Sequence, residues 1–350
     1  MKIARIYLEN FKKFEQLEIN VRNGLTKEIA DQFLVLGDNG SGKTTVLQAV
    51  ALCLSLASRV TKDIENFNWI GWVSGRYGRW GYPIIKLEVH FSPEEIEATQ
   101  AVAKRCSFFS EQPFISPSKS EIIELELKGP RFTNSPQELS QFGGRFYAAS
   151  LVARGDNEAR QFFQNLPGVF WFDQFRNLIH FKESVPEQGT AILGITELRH
   201  FLNKWWLGRL EKNAPIDYLD ELESLYTKIF PDRKFTPPEA MTNTGSPTPS
   251  DYYFMLSDGH RTYDIEETSA GEQVILPLLY EFVRQQIKHS VVLIDELDLN
   301  LHPPLAQRLL ALLPKIGHNC QFIYTTHSEV ISQVISPEEI YRLPGGMLCL

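Results

Sequence analysis

The stretch Gly37-Asp38-Asn39-Gly40-Ser41-Gly42-Lys43-Thr44 follows the apolar run Phe33-Leu34-Val35-Leu36 and opens a second apolar run at 46–52. Its pattern is G-x-x-x-x-G-K-[ST] between a predicted strand and a predicted helix, which is typical of a phosphate-binding P-loop. Glycines let the backbone curl so that several N–H groups point at one phosphate, and the helix N-terminus adds partial positive charge. The alternative is an idle glycine-rich turn, and the flanking strand and helix favour the phosphate site.

Each polar side chain of this loop has a predicted role. Lys43 would reach the β- and γ-phosphates of a nucleotide, and the Thr44 hydroxyl would ligate Mg²⁺. We therefore expect ATP and Mg²⁺ as cofactors. The predicted nucleotide contacts are Gly37, Asp38, Asn39, Gly40, Ser41, Gly42, Lys43, Thr44 and Thr45.

The composition of the 350-residue chain is that of a soluble globular protein, with 43% hydrophobic and 22% charged residues. Its length allows one large or two ordinary domains. The net charge of −8 gives no global basic field, so any contact with nucleic acid has to come from a local patch or from a partner.

Cysteine spacing and apolar runs bear on location. Cys53, Cys106, Cys320 and Cys349 are far apart and form no C-x-x-C pair, so neither structural zinc nor a disulfide framework is expected. The start of the chain lacks a signal-peptide core, and the apolar run 46–57 is too short to span a membrane. We expect a cytoplasmic protein without membrane contact.

Residue periodicity predicts an α/β fold. Apolar and polar residues alternate as in strands at 2–8, 15–21, 85–91 and 121–128, and less clearly at 145–152. Helices are predicted at 93–105 and 196–229, a flexible loop at 236–250, and a hairpin turn at 257–260. From 271 onward helices and strands take turns, which predicts a parallel sheet covered by helices.

A second candidate site element is the run Val291-Val292-Leu293-Ile294 followed by Asp295 and Glu296. A continuous apolar run suits a buried parallel strand, and ligands bind where such strands end. Asp295 would hold Mg²⁺, and Glu296 would orient and polarise the attacking water. The alternative is an ordinary strand that ends in surface acids.

Two further segments belong to the same predicted site. Ser269-Ala270-Gly271-Glu272-Gln273 opens an apolar helix and could read a phosphate, although Ser269 and Glu272 also fit a plain capping box. Both interpretations can hold at once. His327 follows a predicted strand and could contact the γ-phosphate, whereas many single histidines are structural.

Taken in order, these motifs resemble the ABC-type ATPase head of the SMC, RecF and OLD-like group. The resemblance rests on the opening residues 6–14, the Walker A loop Gly37–Thr44, the signature 269–273 and the Walker B pair Asp295-Glu296. Asp298 corresponds to the D-loop residue of this family, and 326–328 correspond to its switch. In this family two heads join head to tail, and each ATP lies on the Walker A of one subunit and faces the signature of the other. The resemblance therefore implies an ATPase that forms at least an ATP-dependent pair.

The chain departs from the family pattern in several places. Ala270 stands where the commonest signature has glycine, and Thr268 stands where it has leucine. Gln174 is the candidate for the glutamine that contacts the metal, with a buried aromatic strand end as its rival. We expect neither long coiled-coil arms nor a C-terminal nuclease domain, so that a separate polypeptide would have to cut any DNA. We expect one head, with a nucleotide-binding core formed by 1–57 and 251–350 and a β/helical insertion at 58–250.

The stretch 67–82 is rich in aromatic residues, arginine and glycine. Its aromatic side chains could stack on nucleic-acid bases while Arg76 and Arg79 contact the phosphates. The simpler interpretation, which we favour, is a glycine-turned hairpin whose aromatic side chains pack on the antiparallel lobe.

These features favour an ATPase switch in a DNA-linked process, in an antiviral defence complex that controls a separate nuclease or toxin. The first alternative is a repair ATPase of the RecF type. A transporter cassette is a weaker alternative, because the segment between the P-loop and the signature is too long and too rich in strands. A scaffold without hydrolysis would not need Glu296 and His327.

Overall fold

The computed structural model describes residues 1–108, 114–174, 195–209, 217–241 and 248–344. Cys349 and residues 242–247 of the predicted loop lie outside this part of the chain. The strands are β1 Lys2–Phe11, β2 Phe14–Asn20, β3 Gln32–Leu36, β4 Ile84–His90, β5 Ile122–Lys128, β6 Arg131–Phe132, β7 Val169–Phe172, β8 Lys234–Phe235, β9 Glu239–Ala240, β10 Tyr252–Tyr253, β11 Met255–Ser257, β12 Thr262–Asp264, β13 Val291–Ile294, β14 Gln321–Thr326 and β15 Ile340–Arg342. The helices are α1 Lys43–Ala57, α2 Pro93–Ser107, α3 Pro136–Gln141, α4 Gly144–Ala153, α5 Ile195–Gly208, α6 Tyr218–Ile229, α7 Ala270–Arg284, α8 Pro303–Ile316 and α9 Glu329–Ser332.

A parallel sheet forms the centre of the fold, with the strand order β15-β3-β14-β13-β7. Every residue of β7, β13 and β14 is buried, as continuous apolar runs predict for strands covered on both faces. One face packs against α1 and the antiparallel sheet, and the other packs against α6, α7 and α8. Because all the strands run in one direction, Leu36, Ile294 and Thr326 end at the same edge.

The second sheet is antiparallel, with the order β2-β1-β4-β5-β6. It confirms the strands predicted at 2–8, 15–21, 85–91 and 121–128. Its alternating residues place one face in the core and leave the other facing solvent. The α/β fold class, with a mostly parallel sheet, an antiparallel lobe and a helical region, is confirmed.

The strand predicted at 145–152 is wrong, because this segment lies within helix α4. Gly144, Ala148 and Leu151 are its buried residues, and their spacing of four and three places them on one helical face. That face packs against Val102 of α2. The packing of α4 against α2 therefore determines the secondary structure of this segment, whose residue pattern alone does not clearly predict a strand or a helix.

Other local predictions hold in part. Helix α2 begins with the predicted cap, in which the Ser92 side chain accepts from the backbone N–H of Glu95 at 3.3 Å. The turn at 257–260 joins β11 and β12 as a hairpin. The predicted loop 236–250 contains a strand, because β9 pairs with β10.

The middle of the chain contributes to the central sheet. Strand β7 comes from the range 58–250 and pairs in parallel with β13, so that Phe172 lies opposite Ile294. The nucleotide-binding core therefore includes at least this strand in addition to 1–57 and 251–350. The remaining domain boundaries stay a prediction.

The side chain of Gln321 joins the two sheets. Its Oε1 accepts from the backbone N–H of Ile3 at 2.7 Å, and its Nε2 donates to the carbonyls of Ile3 and Ala30 at 2.8 and 3.0 Å. The residue is fully buried.

No helix in the described ranges is long and apolar enough to cross a membrane.

We predict that Gln321→Leu lowers the free energy of unfolding by about 3 kcal/mol. The substitution leaves buried backbone groups of Ile3 and Ala30 without partners, at a cost of about 1–3 kcal/mol for each such group. Urea unfolding followed by circular dichroism measures the change. The matched control is Gln16→Leu on the exposed face of β2, and equal losses in the two variants would refute the role of Gln321.

Candidate nucleotide site

The P-loop lies between the end of β3 at Leu36 and the start of α1 at Lys43. Gly40 and Gly42 have φ angles of 76° and 108°, in the left-handed region that favours glycine. A Cβ atom on Gly42 would lie 2.6 Å from Cζ of Phe14. The backbone shape and the close approach of Phe14 both require glycine at position 42.

Polar atoms of this loop fit a bound phosphate. Ser41 Oγ is buried, has no hydrogen-bond partner among the described residues and can donate to a phosphate oxygen. The Nζ of Lys43 donates to the carbonyls of Gly37 and Asp38 at 2.8 and 3.1 Å, which leaves one of its three donors for a ligand. Burial lowers the pKa of Lys43, and the nearby carboxylates of Glu296 and Asp295 act in the opposite direction.

Asp295 connects the P-loop helix to two strands. Its Oδ2 accepts from the Thr44 hydroxyl at 2.8 Å, and its Oδ1 accepts from the Thr325 hydroxyl at 2.6 Å. Its backbone N–H donates to the carbonyl of Phe172 at 2.9 Å. A carboxylate and a hydroxyl held together are oxygen ligands of the kind that Mg²⁺ prefers, so Thr44 and Asp295 fit the predicted metal.

Glu296 has an unusual backbone at the end of β13. Its φ angle is 46°, in a region that residues other than glycine seldom adopt. Its N–H donates to Thr325 Oγ1 at 2.7 Å. The Thr325 hydroxyl therefore fixes both members of the Walker B pair, and backbone strain of this kind recurs at active sites.

The end of β14 holds the next predicted residues. Thr326 Oγ1 donates to Asp298 Oδ1 at 2.5 Å and accepts from the backbone N–H of Ser328 at 3.0 Å. His327 lies between these residues and is exposed. It thus sits at the edge where the P-loop and the Walker B pair lie.

Gln174 follows β7 by two residues. Because β7 pairs with β13 and ends beside it, Gln174 lies on the same edge of the sheet as Asp295. Its contact with the metal stays a prediction.

The signature segment caps helix α7, as its capping-box interpretation predicts. The Ser269 side chain accepts from the N–H of Glu272 at 3.3 Å and donates to its Oε2 at 2.7 Å. Gln273 Nε2 donates to the carbonyls of Glu266 and Thr268. Ser269 and Ala270 are exposed, so the outer surface of this turn stays accessible although the turn also caps the helix.

Glu272 is bound from outside the segment as well. Its Oε1 accepts from the Tyr226 hydroxyl at 3.1 Å and from Arg233 Nε at 3.0 Å. Burial tends to raise the pKa of Glu272, but its hydrogen bonds with Ser269 and Arg233 outweigh burial and lower it. Gly271 packs so closely on α8 that a Cβ atom there would lie 2.7 Å from Leu305.

Sequence reasoning missed three residues beside this site. Thr325 directly precedes the predicted switch 326–328, but its link to Asp295 requires the pairing of β13 with β14. Lys13 Nζ donates to the carbonyl of Gly40 at 2.5 Å, and Lys12 Nζ donates to Gln48 Oε1 at 2.5 Å. Both lysines lie in the turn between β1 and β2, and adjacent lysines in a tight turn were the available signal.

We predict that Thr325→Val slows ATP hydrolysis by about 10–100-fold, as loss of an outer-shell partner of a metal ligand does. Valine keeps the shape but removes the donor to Asp295 and the acceptor for Glu296. Steady-state phosphate release at several Mg²⁺ concentrations measures the effect, with thermal melting to monitor folding. Thr325→Ser keeps the hydroxyl and serves as the control. Equal rates for the serine and valine variants would contradict the prediction.

A solved structure shares this fold, and a second one is similar over most of its length. The SMC head bound to the C-winged helix domain of ScpA is 14% identical, with a TM-score of 0.51, over 95% of this chain and 92% of that chain. The SMC head domain from Thermotoga maritima is 16% identical over 98% of this chain and 94% of that chain, with a TM-score of 0.47.

Two curated relatives match nearly the whole chain, and a third matches a short part of it. "Retron Vc95 probable ATPase" from Vibrio cholerae is 22% identical over 97% of this chain and 73% of its own length. "Retron Ec83 probable ATPase" from Escherichia coli is 23% identical over 99% and 72%. "DNA replication and repair protein RecF" from Clostridium botulinum is 33% identical over 70 residues, which are 20% of this chain and 18% of its own length.

Two family descriptions each match more than half of the chain. Residues 1–196 match "AAA ATPase domain", and residues 154–332 match "AAA domain, putative AbiEii toxin, Type IV TA system". Together they cover both the P-loop and the Walker B pair. The chain is therefore an ATPase that belongs to the AAA ATPase domain family, in agreement with the SMC- and RecF-like head that its motifs predict.

Proposed function

We propose that this ATPase is a nucleotide-dependent switch in which two copies close head to tail around ATP. Each copy carries both halves of a shared site. The P-loop of one copy would hold the nucleotide, and the signature of the other would cover its γ-phosphate.

The observation that carries this proposal is the exposed signature turn at the start of α7. The first N–H groups of a helix have no partners within the helix, and they favour a phosphate. Ser269 and Ala270 face solvent, and Glu272 holds the turn from inside. A second copy can therefore present its P-loop to this turn without unfolding any part of it.

The chemistry follows from the positions of the side chains. Lys43 would bind the β- and γ-phosphates, and Thr44 and Asp295 would hold Mg²⁺, with Gln174 as a further contact. The described residues contain no cluster of three or more histidine, cysteine or carboxylate side chains suited to a metal, which fits an ion held largely by phosphate oxygens. Bound Mg²⁺ would neutralise charge that develops on the phosphates.

Glu296 would accept a proton from the water that attacks the γ-phosphate, giving ADP and phosphate. His327 would contact that phosphate, and Asp298 would reach the neighbouring copy. These roles explain why three hydroxyl groups, those of Thr44, Thr325 and Thr326, hold carboxylates at one edge of the sheet.

We place this switch in an antiviral defence complex, where a separate nuclease or toxin would respond to the closed state. The two retron relatives, which span nearly the whole chain, support this role. A RecF-type repair function is the second candidate, since the match to RecF covers only 20% of the chain. Co-purification with the products of neighbouring genes, with and without ATP, separates the two. A bound nuclease or toxin supports defence, and a lone dimer that binds DNA ends supports repair.

We predict that Glu296→Gln binds ATP, forms stable dimers and hydrolyses ATP at least about 100-fold more slowly, because the proton acceptor is lost. Lys43→Ala should lose ATP binding. Isothermal titration, size-exclusion chromatography with light scattering, and phosphate release measure these properties. Normal turnover by the glutamine variant would remove Glu296 from its role, and unchanged ATP affinity in Lys43→Ala would refute the P-loop assignment.

The shared site itself can be tested by mixing two inactive variants. Ala270→Arg places a bulky cation on the exposed signature turn, and Lys43→Ala disables the P-loop. We predict that each variant alone is inactive and that a mixture regains hydrolysis, because a mixed pair contains one intact site. Ala270→Gly, which restores the commoner signature residue, should stay active. A mixture as inactive as its parts would contradict head-to-tail closure.

A further inference from the structure

Three neighbouring loops of the antiparallel lobe carry positive charge without negative charge. They are residues 10–14, 70–83 and 127–134, named here the basic lobe surface. They contain Lys12, Lys13, Arg76, Arg79, Lys128 and Arg131, and no aspartate or glutamate. In a chain of net charge −8 this is a local reversal of sign.

Backbone hydrogen bonds hold the three loops together. The N–H of Lys12 donates to the carbonyl of Tyr77 at 2.8 Å, and the N–H of Gly129 donates to the carbonyl of Pro83 at 2.8 Å. The Tyr82 hydroxyl donates to the carbonyl of Lys128 at 3.3 Å. The charges therefore lie on one continuous surface.

The aromatic residues of 67–82 divide into two groups. Phe67 and Trp69 are buried, and Trp72 and Tyr77 stack on each other with centroids 5.4 Å apart. Trp72 and Tyr77 contact Phe11 of β1, which confirms the predicted packing on the antiparallel lobe for these two residues. Phe67 and Trp69 contact Trp171 of β7 in the parallel sheet instead. The predicted hairpin is wrong, because residues 67–82 form a short 3₁₀ turn at Ser74–Arg76 and no strand.

The other group faces solvent. Trp80 is 68% exposed and Tyr82 is 62% exposed. The guanidinium of Arg79 lies over the Trp80 ring, 4.9 Å from its centroid. Neither Trp80 nor Tyr82 belongs to a buried hydrophobic cluster of the described residues, so core packing does not account for their exposed faces.

We propose that the basic lobe surface binds single-stranded nucleic acid. A base would stack on Trp80 or Tyr82, while Arg76 and Arg79 would contact flanking phosphates. Alternating exposed rings and arginines suit this ligand, because stacking needs a free aromatic face and the backbone needs cations at short intervals. The neighbouring carboxylate Glu126 is already paired with Lys86 and Lys128, at 3.0 and 3.3 Å, so it does not offset the arginines.

A protein partner is the competing occupant. An apolar partner surface would have to bury Arg76 and Arg79, whose charges are costly to desolvate without carboxylates opposite them. A polyanion with flat bases satisfies both the charge and the rings.

Fluorescence anisotropy tests the proposal with the intact protein and no added nucleotide. The probes are labelled oligo(dT) and oligo(rU) of about 20 nucleotides, longer than the usual site of a single-strand binding fold, and a duplex of equal length. Trp80→Ala should weaken binding to the single strands by about tenfold, and Trp80→Phe should retain most of it. Comparing the two single-stranded probes distinguishes DNA from RNA as the ligand.

The double variant Arg76→Ala/Arg79→Ala should reduce the slope of log affinity against log salt by roughly 1.4, since each phosphate neutralised on a single strand contributes roughly 0.7. The charge-matched control is Lys234→Ala/Arg261→Ala, two exposed cations, one on β8 and one in the turn between β11 and β12. Phe108→Ala, an exposed aromatic residue elsewhere, is the control for Trp80→Ala.

Several outcomes would overturn the proposal: no binding by the native chain, equal losses in the control variants, or a preference for duplex that Trp80→Ala leaves unchanged. Capture of a protein by the native chain but not by Trp80→Ala, without oligonucleotide binding, would assign the surface to a protein partner. Because the assay contains no ATP, its failure is distinct from failure of the proposed switch.

Discussion

The buried carboxylate of Asp295 imposes the constraint on which the site depends. Removing a carboxylate from water is costly unless hydrogen bonds replace its hydration. Here two hydroxyls supply them, one from Thr44 on α1 and one from Thr325 on β14. Helix α1, β13 and β14 must therefore keep their relative positions, and the parallel register that places Ile294 beside Tyr324 and Thr326 beside Leu36 provides this.

Local chemistry made much of this site predictable from the sequence. The P-loop needs its glycines and lysine in a fixed order, and a buried strand needs a continuous apolar run before Asp295. The role of Thr325 was not predictable in the same way, because it depends on which strand lies next to β13. The helix at 144–153 and the place of β7 in the central sheet depend likewise on packing between distant segments. The local periodicity of apolar residues does not predict that packing.

The signature turn shows how one residue can serve structure and function together. Glu272 completes the cap of α7 and also binds Tyr226 and Arg233. Tyr226 belongs to α6, which comes from the middle of the chain. The helical region is thereby linked to the first turn of α7, so a change in the packing of α6 has a direct physical path to the surface that would meet a second copy.

The turn between β1 and β2 forms a comparable link on the other side of the nucleotide site. Phe14 occupies the space beside Gly42, and Lys13 binds the carbonyl of Gly40. The neighbouring Lys12 is bonded through its backbone to Tyr77, within the basic lobe surface. A ligand on that surface and a nucleotide on the P-loop would thus contact two sides of one tightly packed turn. Such a ligand would influence the nucleotide only if it bound more tightly to one of two positions of this turn, and a second position would change the contacts that Phe14 and Lys13 make with Gly42 and Gly40 of the P-loop.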